Sequence, residues 1–167
     1  MLKKVAKAAF LLAIVAPAAP ASAQILGPNP AACRAGADGP AFLVTVDGFK
    51  ARTGRIRVQL YRANDEFLAR GQWLQRIDEP VSARGPMRFC VTPPAPGRYA
   101  VAVRHDVDGN GRSGWNDGAG FSRNPDISLT NLRPEAGEVA ISTGSGPVPV
   151  NVVLNYRFGL TIRPVRS

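Results

Sequence analysis

The sequence predicts an all-β protein, an antiparallel β-sandwich of seven or eight strands with one short helix. Three observations lead there. Apolar residues recur at every second position in successive short segments, the period of a strand with one buried face. Clusters of Gly, Pro, Asn and Asp separate nearly all of those segments, as the tight connections of a sandwich require. No strand–helix–strand rhythm runs along the chain, which argues against a parallel nucleotide-binding sheet.

The elements follow in order. Residues 1–23 have the layout of a cleavable secretory signal. Lys3, Lys4 and Lys7 form its positive end, residues 8–16 its apolar middle, and Ala21-Ser22-Ala23 its small residues before a cut at Gln24. A bilayer crossing takes about 20 apolar residues, roughly twice what is uninterrupted here, so the reading is export without a transmembrane anchor. Residues 24–40, rich in Gly, Pro and Ala, are an irregular lead-in, and residues 41–167 form the sandwich domain. Phe42, Val44 and Val46 share one strand parity, as do Ile56, Val58 and Leu60. Asn64 or Asp65 is placed to cap a short helix carrying Phe67, Leu68 and Ala69, which Gly71 ends. Residues 73–81 add a strand, then come Met87, Phe89, Val91 and Tyr99, Val101, Val103. Val139 and Ile141 mark a weaker strand. The longest strand carries Val148, Val150, Val152, Leu154, Tyr156 and Phe158 on one face.

The formal charge of +9 falls to +6 once the three signal lysines are removed, and the remaining basic residues stand singly along the chain. Nucleic-acid binding would gather them on one face or element, so no nucleic-acid partner is expected. Two cysteines, Cys33 and Cys90, remain in an exported chain. An oxidising compartment makes a Cys33–Cys90 disulfide the expectation, and the absence of a C-x-x-C pattern argues against a metal or redox pair. Cys90 has the opposite parity to Phe89 and Val91, so its sulfur faces away from the main core and fastens the lead-in across that strand's outer face or edge.

One loop stands out chemically. Asp106, Asp108, Asn110, Gly111 and Asp117 occupy positions 1, 3, 5, 6 and 12 of a calcium-loop template, with the Arg112 carbonyl at position 7. A hard cation takes six to eight oxygens, alternate residues of a tight loop converge on one centre, and the glycine permits the sharp turn. Position 12 is Asp instead of the bidentate Glu, position 9 is Gly114, and the preceding element is a strand. The competing reading is a set of Asx turns in a glycine-rich loop. His105, the sole histidine, stands beside Asp106 at the strand end. A hydrolase using His105 and Asp106 lacks a nucleophile in a suitable setting, and a histidine at the rim of the core is the plainer account. Trp115 and Phe121 complete the segment, as a sugar- or peptide-binding pair or as a plug closing one end of the sandwich.

The run Pro96-Gly97-Arg98-Tyr99-Ala100-Val101-Ala102-Val103, followed by His105-Asp106, Gly109-Asn110-Gly111 and Gly120-Phe121-Ser122, resembles the bacterial exported family catalogued as domain of unknown function 2141. The resemblance extends over residues 42–156 and is most specific over 99–124. It implies a transthyretin-like or carboxypeptidase-regulatory-like sandwich and brings no known substrate. Asp108 stands where the family commonly has Asn, which adds charge, whereas Gly114 stands where an Asp is common. The functional expectation is a periplasmic or secreted, non-enzymatic accessory or binding module, with calcium as its candidate cofactor. An envelope protein, peptide or glycan is its candidate partner, through a sheet edge or the Trp115 loop.

Overall fold

The structure is a computed structural model that describes residues 24–165; residues 1–23, expected from the sequence to be a secretory signal, lie outside the described residues. Within them the chain forms eleven strands, one short α-helix and, in the lead-in, a 3-10 helix at Pro30–Cys33: β1 Ile25–Leu26, β2 Ala41–Asp47, β3 Arg55–Arg62, β4 Gln75–Pro80, β5 Met87–Val91, β6 Gly97–Asp106, β7 Gly118–Phe121, α1 Ala136–Val139, β8 Ile141–Thr143, β9 Pro147–Val153, β10 Asn155–Phe158 and β11 Thr161–Pro164. Two sheets result. The four-stranded sheet has the order β1-β5-β2-β9, and the seven-stranded sheet has β11-β10-β7-β6-β3-β4, with β8 paired to the start of β6.

The all-β sandwich agrees with the period-two reading, and the inward residues are those of the expected parity. Phe42, Val44, Val46, Ile56, Val58, Leu60, Phe89, Val91 and Val101 are fully buried in one core between the sheets. That buried apolar area is the main stabilising term, at about 25 cal/mol per Å² removed from water.

Four details depart from the sequence reading. The seven-stranded sheet is antiparallel throughout, but β2 pairs β9, and β1 pairs β5, in parallel. β9 reaches β2 only after the chain has crossed the other sheet, and such a return sets direction by the crossover instead of by a hairpin. The long final strand is two strands. Leu154 interrupts it, so that residues 147–153 join the four-stranded sheet and residues 155–158 the seven-stranded one. Both halves keep the same inward parity because the chain passes from one sheet to the facing one at a corner. The helix expected at residues 64–69 is a hydrogen-bonded turn, closed by Phe67 N–H donating to Asn64 O and by Leu68 at φ +62°. Val139, read as strand, is the buried last residue of α1, whose Glu135 and Glu138 form a reciprocal capping box.

Smaller layers coat the outer faces. Cys33 and Cys90 form a disulfide, and with Ala41 they make a cluster under the lead-in. The sulfur of Cys90 does face away from the main core, as its parity required. Tyr61, Phe67, Ala100, Phe121 and Val139 form a second cluster on the outer face of the seven-stranded sheet. Phe121 is therefore part of an outer layer, 6.1 Å ring to ring from Phe67. Trp115 is 74% exposed, so the two aromatics do not form a shared plug. Among the described residues no helix is long and apolar enough to cross a membrane.

Candidate metal centre

The loop between β6 and β7 grows out of a hairpin whose last pair is His105 opposite Gly118. Its neck is closed by Asp117, whose Oδ1 accepts from Val107 N–H at 3.1 Å and whose Oδ2 accepts from Gly114 N–H at 2.8 Å. Inside the neck, side-chain oxygens replace missing ladder partners. Asp106 Oδ2 accepts from Gly111 N–H at 2.8 Å, Asp108 Oδ1 from Asn110 N–H at 3.1 Å, and Asn110 Oδ1 from Arg112 N–H at 2.7 Å. These are Asx-type bonds. Gly109 and Gly111 adopt φ +71° and +80°, which lets so many acceptors face one side.

This folding gathers the carboxylates of Asp106, Asp108 and Asp117, one ligand oxygen of each lying within 4.8 Å of the others. Asn110 is not gathered with them in the same sense. Its Oδ1 is engaged by Arg112 N–H, and its Nδ2 donates to Asp108 Oδ2 at 2.7 Å. Arg112 enters the loop through its main chain, with its side chain exposed.

Asp106 is the unusual member. It is 3% exposed, yet its Oδ1 has no hydrogen-bond partner, whereas buried polar atoms are ordinarily satisfied. Arg104 Nη2 approaches the other oxygen at 3.3 Å. Burial pushes this carboxyl up, but the Gly111 N–H and the Arg104 charge outweigh it, and the carboxyl is held below its ordinary value. Asp106 is thus a buried carboxylate with spare acceptor capacity. Three carboxylates this close repel unless a cation sits among them, and hard oxygens of this kind suit Ca²⁺ in preference to softer metals. The donor set fits the calcium reading at Asp106, Asp108 and Asp117.

His105 lies directly behind the loop and is fully buried. Its Nε2 is 2.8 Å from Thr53 O and its Nδ1 is 2.6 Å from the Tyr156 hydroxyl. A carbonyl only accepts, so Nε2 bears the proton and Nδ1 accepts from Tyr156. Burial, together with Arg52 and against Thr53 O, Asp117 and Asp106, lowers the His105 pKa, so the ring is neutral. Both ring nitrogens are engaged away from Asp106, and the two residues form no dyad. The rim-of-core account describes this histidine.

Tyr156 completes that buried pair. Burial pushes its phenol up to about 12, partly offset by the Lys50 main-chain N–H and Arg52. A folded pKa raised above the unfolded value of about 10 means stability is whole below pH 10 and is lost as pH rises toward 12. An ultraviolet difference titration of the wild-type protein against Tyr156→Phe is expected to show one phenol ionising about two units late. A Tyr156 transition near pH 10 would contradict the buried pairing.

Sequence reasoning did not single out Thr53, Gly54, Arg104 or Tyr156. Thr53 Oγ1 donates to Val107 O at 3.0 Å, and the Gly54 turn lies against the backbone of residues 106 and 107. Positive φ at Gly54 was readable only as a turn signal; its contact with the loop neck is a product of tertiary structure.

Fold and site together define a two-sheet all-β domain with a carboxylate-lined hairpin loop at the end of one sheet. The chain belongs to the family described as uncharacterized protein conserved in bacteria (DUF2141), whose model matches residues 44–151. That span runs from within β2 into β9 and contains the whole loop, whereas Cys33 and the lead-in precede it. No curated protein and no solved structure matches the chain.

Proposed function

We propose that this protein is an exported, non-enzymatic accessory or binding module of the bacterial envelope, stiffened by Ca²⁺ held at Asp106, Asp108 and Asp117. The observation that carries the calcium reading is the unpartnered, buried Oδ1 of Asp106 beside two further carboxylates. Export is supported by the signal layout of residues 1–23 and by the Cys33–Cys90 disulfide, which belongs to oxidising compartments. Ligands of this kind suit the weaker, extracellular class of calcium site, with Kd of about 0.1–1 mM.

Thermal unfolding of the purified protein in Ca²⁺ against EDTA tests this. At calcium about 100 times Kd the native state gains about 2.7 kcal/mol, a rise of several degrees in midpoint for a domain of this size. Asp106→Asn and Asp108→Asn are expected to abolish the rise while leaving the EDTA midpoint within a few degrees. An unchanged midpoint at about 100 mM Ca²⁺ and matched ionic strength, about 100 times the weaker Kd, or an undiminished rise in both variants, would overturn the reading.

A further inference from the structure

The outer face of the seven-stranded sheet is divided along its length. Toward the Asp106 end it is basic. Arg57 stands directly opposite both Arg104 and Asp78 across the ladder, and Arg55 and Arg76 join them around a basin of about 320 Å³. Four guanidinium groups there meet two carboxylates. Asp78 is shared by Arg57 and Arg76, and Asp106 takes Arg104. Arg104 Nε is buried without a partner. Like charges directly opposite on a sheet are destabilising unless something neutralises them. Asp106 with its neighbours Asp108 and Asp117 supplies negative charge at one end of the basin. At the other end Arg57 and Arg76 share the single carboxylate of Asp78, and Arg55 has only its main-chain carbonyl; that end is short of negative charge.

Beyond Arg104 the same face turns apolar. Ala102 and Ala119 are small enough to leave a hollow floor, and Leu129, Leu132 and Trp115 line it with them. The groove they bound measures about 480 Å³, within the range of about 300–1,000 Å³ typical of small-molecule sites. Leu132 and Trp115 are 52% and 74% exposed, and the Arg157 guanidinium stacks 3.7 Å above the Trp115 ring. Arg104 lines both the groove and the basin and joins them.

We propose that this face binds a single-chain acidic amphiphile, its apolar chain in the groove and its anionic head on Arg104, Arg57 and Arg55. The charge of the basin selects the head, and a guanidinium offers a carboxylate or phosphate two parallel donors. The apolar walls select the chain. A second copy of this protein would have to bring an acid and an apolar segment together, and a free oxyanion would leave the groove exposed to water.

Dodecanoate below its micellar concentration is the probe, followed by calorimetry and Trp fluorescence in EDTA on the wild-type protein and on Asp108→Asn, which removes one of the carboxylates beside Asp106, so that repulsion from an empty calcium loop is told apart from a failure of the groove and basin. One dodecanoate is expected per protein, and dodecyl phosphate reports whether the head is read as a general oxyanion or as a carboxylate. A neutral or cationic amphiphile of equal chain length is expected to bind at least about tenfold more weakly, and acetate or inorganic phosphate not to displace dodecanoate. Arg57→Gln, which leaves Asp78 paired with Arg76, weakens dodecanoate and spares the neutral amphiphile. Leu132→Asp, at an exposed side chain, weakens both. No dodecanoate binding by either protein, equal binding of the cationic amphiphile, displacement by free phosphate, or a concentration-dependent dimer that shields Trp115 would each overturn the proposal.

Discussion

Replacing Cys33 and Cys90 together by alanine is expected to destabilise the protein by about 4 kcal/mol, read as a drop in denaturant midpoint at constant slope. The bond joins positions 57 residues apart, and closing a loop of that length removes about this much chain entropy from the unfolded state. The folded side adds to it. β1 pairs with β5 over Ile25–Arg88 and Leu26–Phe89, and two residues of strand alone do not hold an edge. The disulfide shortens the loop that this pairing has to close and so raises the effective concentration of β1 at β5. Without it, the lead-in is expected to fray and uncover Ala41 and Leu43, with proteolysis beginning between residues 24 and 40. The calcium response should survive, because the disulfide sits on the outer face of one sheet and the acidic loop at the end of the other. A loss below about 1 kcal/mol would show that the unfolded state is already compact around these residues, against the chain-entropy account.

The parity of single strands was legible in the sequence, and it located nearly every inward side chain, because burial of one sheet face dictates a strict alternation. Parity also placed the Cys90 sulfur on the correct side. What alternation cannot carry is the partner of each strand. Residues 148–158 read as one strand because the inward face stays the same when the chain turns at Leu154 and passes to the opposite sheet. Parallel pairing of β2 with β9 is equally silent, since either direction presents the same faces. The turn at residues 64–70 carries a helix-cap sequence, but Phe67 packs onto Tyr61 and Phe121, and this tertiary contact overrides the local signal. At the candidate site, loop spacing proposed Asp106, Asp108, Asn110, Arg112 and Asp117 because the ligand template is local in sequence, and the fold gathers the three carboxylates but not the Asn110 side chain. The residues that hold them in place come from elsewhere: Thr53 and Gly54 from the turn before β3, and Tyr156 from β10. Those are long-range contacts, and no spacing rule encodes them.

Gly54→Ala is expected to be the most damaging single methyl that can be added near the site. Gly54 sits at φ +74°, and a Cβ there would lie 1.9 Å from Asp106 O and 2.6 Å from Val107 O. Both obstacles are backbone, so no side chain can move aside. Either the turn at residues 51–54 must shift or the end of β6 must yield. The first breaks the bonds of Thr53 to His105 and Val107, and the second carries Asp106 away from Asp108 and Asp117. The left-handed conformation alone costs a non-glycine residue about 1–2 kcal/mol, and overpacking adds about 1–3 kcal/mol; the sum expected is about 3 kcal/mol or more. Gly36→Ala separates the two contributions. It has φ +78° with nothing within 4 Å of the added methyl, so it carries the conformational cost without the clash. Chemical denaturation should place Gly54→Ala below Gly36→Ala by about 2 kcal/mol, and only Gly54→Ala should lose calcium affinity. Equal losses in the two variants would mean that the turn gives way freely. The Asp106 end of the loop would then owe its position to Asp117 and Arg104, and not to the turn packed behind it.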